Sequence, residues 1–344
     1  MRILMTAGTY GRYGISTVIK NLAVRLVKLG NDVTIGAFSF SEKPPDDVQS
    51  EKLSSPMNWT RLNQKYDIIH SHQPVTNFLV MFSKIPFLYE YYGSPHSLFN
   101  PSRVAMELSL KLIKTFKKKI VAISHAAAHD LMPQFKQSDV DVVPLGVDLE
   151  RFNHTCDKRH HHGTPHLLFA GHLHPHKRVN DLISAMKELV VIYPEAYLQI
   201  VGSGAELPNL QSQVARLGLT RNVGFSGWVT DDELPFYYSS CDIYVSASEW
   251  EMFGLPLLEA MACGKPVVAS CIPAHRELIH RSNAGILYNI GDTRDLVKKI
   301  CKAYEEKDSY KHRGLLFAKM NDWSVVTNQV LKIYVQMLNG TAAA

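Results

Sequence analysis

Long apolar runs are missing from this sequence. The best candidate, FLVMFSKIPFLYEYYG, is broken by Ser83, Lys84, Pro86 and Glu90, short of the roughly 18 uninterrupted residues that a membrane span needs. No transmembrane helix is therefore expected. Cysteine is scarce: Cys156, Cys241, Cys263, Cys271 and Cys301 are the five in 344 residues, with no C-x-x-C pair. An odd set without paired spacing argues against a disulfide framework and points to a reducing compartment. Charge excess is also small, 37 Lys and Arg against 32 Asp and Glu, a net +5. That is less than a dedicated nucleic-acid binder carries, but it suits anionic substrates or membrane surfaces. The opening MRILMTAGTYG has one arginine and no small-residue cleavage site, so no signal peptide is expected and the cytoplasm is the expected location.

What the sequence does have is a repeated alternation. RILMTAG reads as a buried strand, followed by a glycine loop through Gly14 and a helix with Val18, Leu22, Leu26 and Leu29 in phase, stopped by Gly30. DVTIGAF closes a βαβ unit, and strands at YDIIHSH, IPFLYEYY, KIVAIS and VDVVPLG follow. A second cycle has strands at HLLFAG, YLQIVGSG, NVGFSG, DIYVSAS, PVVAS and AGILY, with helices starting near Asp181, Leu207, Asp232, Pro256 and Asp292. Such alternation implies parallel sheets covered on both faces. With 46% hydrophobic content over 344 residues, two cores are expected. The fold class is α/β, two Rossmann-like doubly wound domains facing a cleft. An N-terminal domain is expected over 1–148 and a C-terminal one over 149–323. A final helix over 324–340, with Val326, Val330, Ile333, Tyr334 and Met337 in phase, should pack back on the first.

The acids of SEWEMFGLPLLEA stand out. Pro256 suits a first helical position, which would put Glu259 in the first turn. Backbone amides of Phe253, Gly254 and Leu255 would then face outward at a positive helix end, a seat for a diphosphate. Glu259 either accepts from a vicinal diol or only complements the helix dipole, and Glu251 is either a ligand group or solvated. In FAGHLHPHKRVNDLI a strand ends at Gly171 and a loop carries Lys177 and Arg178. A lysine at a strand's carboxyl end can neutralise a departing diphosphate, or simply lie on the surface.

The segments AGHLHPHKRVNDLI, LQIVGSG, FSGWVTDDELPFYYSSCDIYVSASEWEMFGLPLLEAMACGKPVVAS and AGILY closely resemble the retaining glycosyltransferases of family four, which have the GT-B fold. VVPLGVDLERF resembles that family's hinge strand, and YGISTVIKNLAVRLVKLGNDVTI its N-terminal glycine loop and helix. The resemblance implies a hexosyltransferase that moves a sugar from a UDP- or GDP-sugar to an acceptor hydroxyl on a glycan or lipid, with retention and without metal or cofactor. It gives Glu251 the donor sugar's hydroxyls, Glu259 the ribose diol, and Phe253, Gly254 and Leu255 the sugar and phosphates. Lys177 matches the diphosphate lysine, Gly14 the loop that closes on the diphosphate, and Val229 a position near the base. His172 stands after the strand glycine Gly171 where the family has arginine, so leaving-group stabilisation would rest on Lys177 with Arg178. Tyr13 and Met252 replace usual glycines. Tyr92, before Gly93, matches an N-domain histidine near the sugar, and His96 is a second candidate contact there. The alternatives are a nucleotide-sugar epimerase and a donor-binding subunit without catalysis.

Two other features are weighed. His172, His174 and His176 alternate, and His160 to His162 are consecutive, but Pro175 marks the first set as a loop, so no metal site is expected. Lys111, Lys114, Lys117, Lys118 and Lys119 crowd the end of an amphipathic helix whose apolar side should carry Val104, Leu108, Leu112 and Ile113. A solvated face explains such a cluster; so does docking on an anionic membrane surface, with no nucleic acid involved.

Overall fold

The computed structural model describes the whole chain except residues 12–13, 54–58, 81–82, 94–100, 154, 156 and 343–344. Two compact units result: Met1–Leu145 with Trp323–Ala344, and Gly146–Asp322. The first unit thus ends at Leu145 where 148 was expected. The second stops at Asp322, one residue before the expected 323.

In the first unit the strands are β1 (Arg2–Tyr10), β2 (Asp32–Phe40), β3 (Gln49–Lys52), β4 (Ile68–Ser71), β5 (Phe87–Tyr91), β6 (Lys119–Ala122) and β7 (Val140–Val142). They form one sheet ordered β3-β2-β1-β4-β5-β6-β7, parallel at every pairing. The inner strands β4 and β5 are buried along their whole length, and β1 nearly so, because helices cover both faces. The helix Gly14–Lys28 starts at the glycine that ends the loop after β1 and buries Val18, Ile19, Leu22 and Leu26. Against it packs the terminal helix Trp323–Ala342, which buries Trp323, Val326, Val330, Ile333 and Tyr334 at helical spacing.

The second unit carries β8 (His166–Ala170), β9 (Tyr197–Val201), β10 (Val223–Gly227), β11 (Ile243–Ser246), β12 (Val267–Ser270) and β13 (Gly285–Tyr288). Their order is β10-β9-β8-β11-β12-β13, again all parallel. Strand order reverses between β8 and β11, so the loops after these two strands diverge and leave a crevice at their carboxyl ends. Those loops are the ones that hold Lys177 and Glu251. The core beneath is aliphatic, with Leu167, Leu182, Leu189, Leu198, Ile200, Ile243 and Val245 among its members.

Three elements were not anticipated: the edge strand β3 and the helices Pro273–Ser282 and Lys307–Met320. The last has Gly314 at its middle, which reads as a helix breaker in sequence. In the structure a Cβ there would lie 3.3 Å from the Met261 carbonyl, so glycine lets this helix approach the helix Leu255–Ala262 closely. The basic helix Pro101–Thr115 also differs from expectation. Its buried side carries Met106, Leu110 and Ile113, whereas Val104 and Leu108 are exposed.

Candidate active site

In the second unit, β8 ends just before Gly171 and the following loop turns through a short helical segment, Pro175–Lys177. Leu173, fully buried, anchors this loop by donating its amide to the Ser203 carbonyl at 2.9 Å. The loop after β11 is stitched to it where the Glu249 amide donates to the His176 carbonyl at 2.9 Å. Between them Lys177 Nζ donates to Glu251 Oε1 in a partly buried ion pair, and Ser248 Oγ donates to the same oxygen at 3.0 Å. The two residues that sequence reasoning placed 74 positions apart therefore meet. Each charge holds the other in place at the carboxyl ends of β8 and β11.

Glu251 leads into the helix Leu255–Ala262. Gly254 is its N-cap, with φ 94°, a left-handed conformation that L side chains adopt only with strain. A Cβ at this position would also lie 3.3 Å from both His275 Cδ2 and Leu278 Cδ1. Pro256 has no N–H and the Leu257 amide donates to the Gly254 carbonyl at 2.9 Å, so of the first helical residues Leu255 is the one whose amide has no intrahelical acceptor. Phe253 is buried and fixes the turn, while Leu255 is the first helical residue.

Because the helix begins at Leu255, Glu259 is its fifth residue and lies beyond the first turn, contrary to expectation. Its carboxylate accepts from Tyr238 Oη at 2.8 Å. Burial pushes its pKa up to about 7, opposed by the Tyr238 hydrogen bond and the Arg151 charge. Dipole complementarity, which decays within the first turn, does not account for this acid.

The other expected residues distribute as follows. His172 is exposed, with its ring 5.4 Å from that of His174. Arg178 caps the helix Val179–Ile192 in left-handed conformation and is shared between Asp181 at 2.8 Å and Glu249 at 3.6 Å. Glu249, which had no role in the sequence, gains that one. Val229 lies half-buried in the loop after β10. In the first unit Gly14 opens its helix, and the Gly8 amide donates to Gln73 Oε1 at 2.6 Å, joining the end of β1 to the loop after β4 at that sheet's reversal point. Tyr92 turns its hydroxyl inward, donating to Glu90 at 2.8 Å. His96 and Tyr13 lie outside the described residues.

Sequence reasoning missed Ser248, Ser270 and His275. His275 Nδ1 lies 3.0 Å from the Ser270 carbonyl, which only accepts, so Nδ1 carries the proton and Nε2 is a bare acceptor. That Nε2 has no partner among the described residues. Burial pushes the imidazole's pKa down to about 4, so it is neutral at physiological pH. Its position after β12, the strand beside the crevice, was the available signal.

Comparison with known proteins gives the family. Residues 13–151 match the model for Glycosyltransferase Family 4, and residues 151–314 the model for Glycosyl transferases group 1. The phosphatidyl-myo-inositol mannosyltransferase of Mycobacterium leprae is 27% identical over 286 residues, covering 78% of this chain and 73% of that protein. The N-acetyl-alpha-D-glucosaminyl L-malate synthase of Bacillus anthracis is 25% identical, covering 83% and 76%. Among solved structures, Anabaena HepE in complex with UDP superposes with TM-score 0.81 at 19% identity, over 98% of this chain and 100% of that one. Together these matches span both units, and the chain belongs to the family four glycosyltransferases, enzymes of the GT-B fold.

Proposed function

We propose that the enzyme transfers a hexose from a nucleoside diphosphate sugar to an acceptor hydroxyl with retention at the anomeric carbon. The observation that carries this reading is the Lys177–Glu251 pair set beside the amide-bearing end of the helix Leu255–Ala262. A donor entering there exchanges the ion pair for two better contacts: Lys177 moves to the diphosphate and Glu251 to the sugar hydroxyls. Lys177 then stabilises the charge that develops as the diphosphate leaves, with the helix amides on the same phosphates. Glu259 accepts from the ribose diol. Arg178, tied to Asp181 and Glu249, contributes at longer range. No metal takes part in this transfer step, because fixed cationic and amide groups cover the leaving phosphates.

Two relatives named for lipid-inositol and malate products bracket the acceptor class. The exposed apolar and basic face of the helix Pro101–Thr115 favours the lipid. Val104, Leu108 and Phe116 are 68%, 50% and 45% exposed, interleaved with Lys111, Lys114 and Lys117, a composition that binds anionic headgroups. No helix among the described residues is long and apolar enough to cross a membrane.

A thermal-shift panel of UDP- and GDP-sugars tests the donor assignment: the true donor raises Tm by mass action, and Lys177→Met removes both the shift and transfer. Equal transfer by wild type and Lys177→Met would overturn it. Anomeric configuration of the product, read by NMR, tests retention.

A further inference from the structure

Beneath Tyr92, in the first unit, lies a cluster that the transfer reaction does not use. The parallel register pairs His70 with Leu88 and Ser71 with Tyr89, which puts Glu90 level with His72 on the next strand. His70, His72 and Glu90 therefore share one face of the sheet, at its carboxyl edge, and the terminal helix closes over them with Tyr334. All three are buried, and their ligand-type atoms lie within 4.8 Å of one another. His70 Nε2 is 3.5 Å and His72 Nδ1 2.9 Å from Glu90 Oε2. Tyr92 Oη is 2.8 Å from that oxygen and 2.9 Å from His72 Nδ1.

Three observations converge on what is missing from this cluster. Among the described residues, Glu90 lies within 3.5 Å of these two imidazoles, which are charged only if protonated, and makes no ion pair with a lysine or arginine. A buried carboxylate in such surroundings calls for a cation. His70 Nε2, the atom of that ring that faces Glu90, is buried and lacks a hydrogen-bond partner, an arrangement that protein interiors avoid unless another group is bound. Finally, His70 Nδ1 meets Tyr334 Oη at 2.7 Å, the outer hydrogen bond that fixes a metal-ligating imidazole with its other nitrogen turned to the ion.

We propose that His70, His72 and Glu90 form a structural zinc site, with Tyr92 Oη in reach as the fourth ligand. Two imidazoles and a carboxylate are a donor set suited to Zn²⁺ rather than to Mg²⁺ or Ca²⁺. Tetrahedral bonds of about 2.0–2.2 Å separate ligand atoms by roughly 3.3–3.5 Å; the His70–Glu90 spacing of 3.5 Å matches this, and the contacts of 2.8–2.9 Å among His72, Glu90 and Tyr92 would open by about half an ångström around an ion. The ion would tie β4 to β5 and, through the His70–Tyr334 hydrogen bond, to the terminal helix. It would hold the Tyr92 ring in place without touching the donor.

The test uses the full chain, expressed without a histidine tag and never exposed to metal-affinity resin, with no donor present. Elemental analysis after dialysis is expected to give one zinc per chain. Removal by a strong chelator lowers Tm by several degrees, and Zn²⁺ but not Mg²⁺ restores it. Glu90→Gln and His70→Gln each weaken zinc binding by at least about tenfold. Cobalt titration of the wild type should give the intense visible absorption of a tetrahedral site, a readout that does not depend on how the variants fold. Wild type with substoichiometric zinc and no Tm response would overturn the proposal. So would undiminished zinc in both variants, which would assign the ion to the exposed histidines, or a weak octahedral cobalt spectrum. A failed donor panel would leave these results untouched.

Discussion

Glu259→Gln probes the donor corner and its energetics together. Glu259 sits on a buried helix against Tyr238, and its pKa is raised from 4.5 to about 7 by burial. At about 1.36 kcal/mol per unit the shift corresponds to about 3.4 kcal/mol. Part of the residue keeps contact with solvent, which screens the charged form, so about 1–3 kcal/mol is the reasonable range. The folded state holds its proton more tightly than the unfolded state. This contribution is therefore fully present below about pH 4.5, falls as pH rises, and is gone above about pH 7. Glutamine keeps an oxygen for the Tyr238 hydroxyl and carries no charge. The Tm of the variant should consequently exceed that of wild type at pH 8, by about 2–4 °C per kcal/mol, and the gap should close toward pH 5. Affinity should move the other way. A ribose diol donates to the ionised carboxylate, so wild type should bind its donor about tenfold more tightly at pH 8 than at pH 6. A nucleoside diphosphate sugar does not itself titrate in that window. The variant should lose about 10- to 100-fold in affinity at pH 8 and lose the pH slope. Differential scanning fluorimetry and calorimetric titration across pH 5–8 read both. If wild type and Glu259→Gln show the same pH slope in Tm and in affinity, the carboxylate is neither strained by burial nor a ligand of the donor.

Glu251→Gln should keep the fold and lower kcat/KM by at least about 100-fold, since a neutral amide can neither hold Lys177 nor accept twice from the sugar; steady-state kinetics with the identified donor decide it. Gly254→Ala should cost about 1–2 kcal/mol from its left-handed backbone and push on His275 and Leu278, visible as a lower Tm with weakened nucleotide binding. Leu108→Glu on the exposed face of the helix Pro101–Thr115 should abolish co-sedimentation with anionic vesicles while leaving Tm unchanged, because the side chain buries little. Retained vesicle binding in that variant would remove the helix from the membrane reading.

The periodic elements were legible because they follow from local rules. Period-2 and continuous apolar runs gave strands, and Val326, Val330, Ile333 and Tyr334 announced the face by which the last helix packs. The proline and glycine of the Gly254 turn located its helix to within a residue, although the start at Leu255 moved Glu259 out of the first turn. The helix Lys307–Met320 was hidden because Gly314 is there for close packing, a reason that only a neighbouring helix supplies. Val104 and Leu108 were assigned to the wrong side for a related cause: apolar spacing identifies a face but not whether anything covers it.

By itself, then, the sequence determined the α/β alternation, the division into two cores, and the acids and lysine that the proposed function uses. These depend on residue type and near-neighbour spacing. Tertiary structure alone decided which of them meet. Strand order brings the loops after β8 and β11 together at a reversal point, and so pairs Lys177 with Glu251 across 74 residues. It also set two histidines and a glutamate from adjacent strands around one buried point under Tyr334. No local pattern encodes such meetings, because register and chain reversal are properties of the packed sheet.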